Sequence, residues 1–240
     1  MPSSNNNSTT VGRVPMLQWV GGIGAATAEA LAHRERTAVG SARARLAAAA
    51  REGLLSRQRP LVAQPALYTL TPAGIRASGL GLQRCRVSAA NARHLIVCAG
   101  VAAGLERCYP GHRVIGERDL RRHERERGAP LASARLGGPH GDWPLHRPDL
   151  VLMPPAAEPG LPVAVEVELA VKAPRRLAAI CRAWARCRAV AGVLYLAAPA
   201  AERALARAIE EVDADSRVVV VPLDALAGAH AQRASEQRLT

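Results

Sequence analysis

Residues 163–169, reading Val-Ala-Val-Glu-Val-Glu-Leu, constrain the fold more than any other stretch of this chain. Apolar and acidic residues alternate with the period of a strand, which puts Val163, Val165, Val167 and Leu169 on one face and Glu166 and Glu168 on the other. The pattern predicts a half-buried β-strand holding two carboxylates side by side. Cα atoms two residues apart in a strand lie roughly 6.6 Å from each other, within the span over which two acids can share one divalent cation. Upstream, Pro148 and Asp149 head the apolar run 150–153, which reads as a neighbouring strand entered through a proline. Lys172 follows the acidic strand and is the single lysine among 32 Lys+Arg. Where nearly every basic position is arginine, a lone lysine marks a place suited to a compact ammonium. Asp149, Glu166, Glu168 and Lys172 together form a set fit for metal-assisted attack on a phosphodiester, with the three acids as metal ligands. For either glutamate alone, the simpler expectation is an edge strand with a solvated acidic face.

Pro148-Asp149 followed by Glu166-x-Glu168 resembles the core of the PD-(D/E)xK nuclease superfamily. The resemblance implies that Asp149 and Glu166 bind Mg²⁺ and that a lysine two residues after the Glu positions water. Here Glu168 stands at that lysine's position. Some members of the superfamily carry a second Glu there, and in others the lysine has moved to the following helix, a place that Lys172 matches. Glu117 is a further candidate acid, or simply a helix start that complements the dipole.

With 240 residues and 49% hydrophobic content, the chain has room for one large domain or two small ones with buried cores, and reads as soluble and globular. A net charge of +12, carried almost wholly by arginine, points to a polyanion, because guanidinium groups pair well with phosphate oxygens. Nucleic acid is the first expectation and an anionic membrane surface the weaker one, since no long basic amphipathic helix with an aromatic face is present. With aromatics at 2% and no Phe, single-strand binding through stacking platforms is disfavoured. No apolar run is long enough for a membrane span. Residues 14–27 have a faint signal-peptide look, but Gln18 interrupts them and a polar Ser/Asn/Thr tail precedes them, so they read as a first helix. The five cysteines, Cys85, Cys98, Cys108, Cys181 and Cys187, form no CxxC pair and are expected to be thiols in a reducing cytoplasm.

In chain order, residues 1–10 read as a disordered tail and 11–80 as a winged helix-turn-helix. Short helices are expected over 14–20, 25–33 and 39–52, the last closed by Gly53. In the third, Val39, Ala42, Leu46 and Ala50 are expected to face the core, leaving Arg43, Ala47 and Arg51 toward solvent and a major groove. Strands over 54–57 and 67–71, joined by a proline-bearing tip, form the wing, and a helical turn follows from Pro72. Arg57 and Arg59 are placed to touch phosphates or the minor groove, so Arg43, Arg51, Arg57 and Arg59 are the expected DNA-binding set. A winged helix used for protein contact is the alternative.

The junction is expected over 80–87, followed by an α/β domain over 87–224 with a long helix at 87–107 and a short strand at 114–115. Residues 124–141 read as a mobile loop or lid. His94 reads as a helix-surface or core-edge residue, and His140 and His146 as solvated loop residues near the acids. Beyond the acidic strand come a helix over 173–190 with five arginines, a strand at 193–196, a helix over 200–212, a strand at 218–221 and a flexible tail over 225–240. This order is α/β, or α+β overall, and consistent with a restriction-endonuclease-like core.

With both halves in view, residues 64–74 (Gln-Pro-Ala-Leu-Tyr-Thr-Leu-Thr-Pro-Ala-Gly), 147–150 (Arg-Pro-Asp-Leu) and 165–172 (Val-Glu-Val-Glu-Leu-Ala-Val-Lys) resemble recurring blocks of the actinobacterial replication-relaxation family. The resemblance spans about residues 14 to 222. It implies double-stranded DNA as partner, a plasmid or integrative element as context, a cytoplasmic setting, and replication or conjugation proteins and a second copy of the chain as further partners. Two functions stay open: a Mg²⁺-dependent nicking nuclease with Asp149, Glu166, Glu168 and Lys172 as its catalytic set, or a DNA-binding regulator or replication accessory factor whose nuclease-like domain is inert.

Overall fold

The computed structural model describes residues 12–137 and 144–227, and the chain divides into two compact units, 1–103 and 104–240. The tail at 1–10 and His140 lie outside the described residues. So does most of the tail at 225–240, of which residues 225–227 belong to a short helix. No helix among the described residues is long and apolar enough to cross a membrane.

The first unit begins with three helices, α1 (Arg13–Ile23), α2 (Ala28–Glu35) and α3 (Val39–Arg51). Thr27 caps α2, its hydroxyl accepting from the Ala30 amide at 3.1 Å. The buried stripe of α3 is Ala42, Leu46 and Ala49, while Val39 and Ala50 are only half-buried. A step of seven residues closes almost two turns, so 42, 46 and 49 stay on the side that packs against α2. Strands β1 (Leu55–Gln58) and β2 (Leu67–Leu70) pair antiparallel from Leu55↔Leu70 to Gln58↔Leu67. Ala26, between α1 and α2, exchanges two backbone hydrogen bonds with Tyr68 at 3.0 and 2.8 Å and extends this small sheet. Thr71 then caps α4 (Pro72–Ser78).

The division between the units falls inside α5 (Ala89–Cys108), not at the expected junction over 80–87. Val87 and the α5 residues Ala92, Leu95 and Ile96 pack with Ala25, Leu61 and Leu67. The first unit therefore takes its last core layer from beyond its hairpin.

The second unit is built on a five-stranded sheet in the order β3 (Arg113–Gly116), β6 (Leu150–Met153), β7 (Val163–Glu168), β8 (Gly192–Ala197), β9 (Val218–Pro222). The β3–β6 and β6–β7 pairs are antiparallel, and β7–β8 and β8–β9 are parallel. The parallel pairs are joined by crossover helices α7 (Pro174–Arg186) and α8 (Pro199–Glu211), each opening with proline in its first turn. These helices pack on each other and cover one face of the sheet with Leu177, Ile180, Trp184 and Leu205. The class is α/β. Between β3 and β6 lie α6 (Glu117–Arg127) and a two-stranded sheet of β4 (Ala134–Arg135) and β5 (Leu145–His146). The expected loop over 124–141 thus begins inside a helix, and Glu124 is buried in it.

Candidate functional site

Strand β7 is the central strand, with both faces covered, and neither an edge strand nor a half-buried one. Glu166 and Glu168 do share a face, as the alternation requires, but it is the face beneath α7, and each is only 5% exposed. Burying two carboxylates is costly unless donors or opposite charges reach them, and the surrounding elements supply both. Glu166 Oε1 hydrogen-bonds His146 Nε2 at 2.6 Å and accepts the Trp184 indole N–H at 3.1 Å. Glu168 is paired with Lys172, which stands in the loop between β7 and α7.

Asp149 sits one position past the last β6–β7 pair, Leu150↔Val165, and so lies beside Glu166. Its Oδ2 accepts the Val167 amide at 2.8 Å. That amide would otherwise lose its ladder partner where β6 begins, so the Asp149 side chain completes the sheet edge. Its own carbonyl accepts the Glu117 amide at 3.1 Å, which joins the start of α6 to the same strand end.

Burial pushes the Glu166 carboxyl above the ordinary carboxylate value, and the nearby Asp149 charge adds to this against the opposing pull of His146 and Lys172. Desolvation wins, even with an imidazole at hydrogen-bond distance. The same acidic neighbourhood reaches Tyr195 and Cys181. Burial first and the Glu166 charge second raise the Tyr195 phenol well above its usual value and the Cys181 thiol to about 11. Cys181 is therefore an unreactive core thiol, in keeping with the expectation for the cysteines.

The structure thus gathers Asp149, Glu166, Glu168 and Lys172 at one end of the central strands. Glu117 stands apart from this chemistry, its exposed carboxylate bound to Arg121 on the surface of α6. His146, expected to be a solvated loop residue, belongs to β5 and is a direct partner of Glu166. Sequence reasoning missed Trp184 and Glu124. A tryptophan on the apolar side of α7 needs an acceptor for its N–H, and that was a legible signal. Glu124, four residues after the buried Leu120 on α6, accepts from the Leu131 amide at 3.0 Å, the Ser133 hydroxyl and Arg147 Nε at 2.9 Å. It thereby ties α6 to the segment that carries His146 and Asp149.

Among the described residues no group of three or more His, Cys, Asp or Glu side chains is arranged to hold an ion. Lys172 supplies the countercharge on Glu168, and His146 and Trp184 hold Glu166 by hydrogen bonds. Asp149 spends one oxygen on a backbone amide.

The four arginines expected to meet DNA lie in the first unit, and all are exposed. Arg43 and Arg51 are on α3, Arg57 is on β1, and Arg59 follows β1 toward the hairpin tip. Arg43 approaches Glu29 at 3.5 Å across an open surface, a contact worth little. At the tip, Val62 is 97% exposed beside Ala63, whose φ is +56°.

Fold and site together define a two-unit α/β protein with a buried acidic cluster engaged by donors of the chain itself and an arginine-bearing helix and hairpin. No family model, no curated protein and no solved structure matches the chain.

Proposed function

We propose that this is a double-stranded DNA-binding protein of the replication-relaxation kind, working in the bacterial cytoplasm on a plasmid or integrative element as a regulator or replication accessory factor. The first unit is read as a winged helix that presents α3 to the major groove and the β1–β2 hairpin to the adjoining backbone. In the second unit, the acid and lysine cluster holds the centre of the sheet together. One observation carries this reading: every candidate arginine of the first unit faces solvent, while every candidate acid of the second is already engaged by a donor of the chain itself. Replacing Arg43, Arg51, Arg57 and Arg59 by Ala should weaken binding to a duplex and lower the slope of log K against log salt by up to about 3 to 4, at roughly 0.9 per neutralised phosphate. Fluorescence anisotropy across a salt series measures both, and an unchanged slope would remove the first unit from the DNA surface.

The second reading, a Mg²⁺-dependent nicking nuclease, is favoured by the convergence of Asp149 and Glu166, close enough for one charge to shift the other. Mg²⁺ would supply countercharge and Lewis acidity there, with Asp149, Glu166 and Glu168 as its holders and Lys172 beside them. On this reading millimolar Mn²⁺ raises the Tm of the wild type, and Asp149→Asn or Glu166→Gln abolishes the rise. Lys172→Ala would remove nicking of supercoiled DNA and leave the Mn²⁺ shift. Neither a shift nor nicking in the wild type would retire the nuclease reading.

A further inference from the structure

Helix α7 divides sharply into two sides. Leu177, Ile180, Cys181 and Trp184 face the sheet. The solvent side carries Arg175, Arg176, Arg182 and Arg186, all exposed. At 100° per residue, Arg175, Arg182 and Arg186 fall within a narrow stripe about 16 Å long, and Arg176 lies about a quarter turn from it. Arg188, just past the helix end, is exposed as well.

This stripe is not what an arginine-rich composition produces elsewhere in the same unit. On α6 the arginines alternate with acids and pair with them, as Arg121 does with Glu117 and Arg122 with Asp119 and Glu126. On α8, Arg203 and Arg207 are offset by Glu202, Glu210 and Glu211. From residue 169 to residue 201 the chain contains no Asp or Glu at all, while Lys172 and the five arginines contribute half of its net +12. Among the described residues no ion pair or hydrogen bond engages the guanidinium groups of Arg175, Arg176, Arg182 or Arg188, and that of Arg186 bonds only the Gly137 carbonyl. With no anionic partner among the described residues, these neighbouring cations repel one another, so the stripe stabilises the chain little and is suited to an external polyanion. The row is straight, and guanidinium is the group best matched to phosphate oxygens. It offers no aromatic side chain on which a base could stack, which favours the backbone of a duplex over a single strand.

We infer that the exposed arginine face of α7 is a second, sequence-independent contact for the phosphate backbone of duplex DNA, separate from α3 and the hairpin. This rests on the duplex-binding reading of the protein and adds a second surface to it. The test uses the full chain and a random-sequence 30-base-pair duplex in anisotropy titrations across a salt series. The triple variant Arg175→Gln, Arg176→Gln, Arg182→Gln keeps good helix formers at exposed positions and should keep the wild-type Tm. It should bind several-fold more weakly, with a salt slope reduced by about 2 to 3, at roughly 0.9 for each phosphate no longer neutralised. The quadruple variant of the first unit, carrying the α7 changes as well, should bind more weakly than either set alone. Wild-type affinity and slope in the α7 variant, while the first-unit variant weakens, would overturn the α7 surface and leave the duplex-binding reading intact. A wild type that binds no duplex at any salt would overturn both. An α7 variant that no longer binds poly-L-glutamate yet binds duplex as the wild type does would assign the face to an acidic protein and overturn it too.

Discussion

Glu166 is the residue on which the second unit's electrostatics turn. Its folded pKa is raised, so in the pH range above the ordinary carboxylate value the native state binds more protons than the unfolded state, and stability falls as pH rises through the raised value. Glu166→Gln removes this titration. The wild type should therefore be relatively more stable than the variant at acid pH and lose that advantage toward neutrality, at no more than about 1.4 kcal/mol per pH unit for one proton. Denaturant melts of both proteins from pH 4 to 8 measure the difference, and a gap independent of pH would refute it. Asp149 makes a different demand. Its carboxylate serves the Val167 amide, so Asp149→Asn keeps an acceptor and should cost little, whereas Asp149→Ala strands a buried donor at about 1–3 kcal/mol. A loss of stability as large in Asn as in Ala would mean that the charge, and not the hydrogen bond, holds the strand end. The sequence made both residues legible as acids of one site, because strand period and Pro148 fixed their places. It could not show their partners. His146 and Trp184 reach Glu166 from 20 and 18 residues away in the chain, and no local pattern encodes a contact closed by the fold.

At the scale of elements, nearly every helix and strand was legible to within a few residues, since period, proline and capping residues are local signals. The exceptions have tertiary causes. The tiny β4–β5 pair has no periodicity, and α6 is so charged that its last turn reads as loop; only the contacts of Leu120, Asp119 and Glu124 give it a buried side. The β7 acids read as solvent-facing because alternation reports which residues share a face and says nothing about what covers it. In the first unit, one close approach decides how α4 meets the hairpin. The Thr71 hydroxyl caps α4 at the Gly74 amide and also reaches the Leu54 carbonyl at 3.2 Å, so the first turn of the helix lies against the entrance of β1. A Cβ at Gly74 would stand 2.0 Å from the Leu54 oxygen. Backbone on both sides leaves nothing flexible to give way, so Gly74→Ala should destabilise the unit by about 1–3 kcal/mol despite alanine's better helix propensity. A melt in which Gly74→Ala matches or exceeds the wild type would show that α4 can shift off the strand freely.

At the scale of the whole molecule, sequence pattern and core packing place the end of the first unit differently. The stretch 80–87 follows the winged-helix pattern and precedes a long helix of different composition, so it reads as a junction. Yet Val87, Ala92, Leu95 and Ile96 complete a cluster with Ala25 and Leu67, and the compact division comes only between residues 103 and 104. A fragment ending at residue 80 would expose Leu67, which is wholly buried in the intact chain, together with the Ala25 surface beneath it. A unit of this size is only marginally stable, so removing one apolar layer takes away a large fraction of what holds it. Residues 12–103 expressed alone should therefore melt cooperatively, whereas residues 12–80 should melt broadly or at a Tm lower by about 8–24 °C, since about 2–3 kcal/mol at roughly 4–8 °C per kcal/mol applies to a domain of this length. Circular dichroism melts of the two fragments decide it. Equal, sharp transitions would mean that the first part of α5 lies on an already complete core and that the boundary belongs at residue 80.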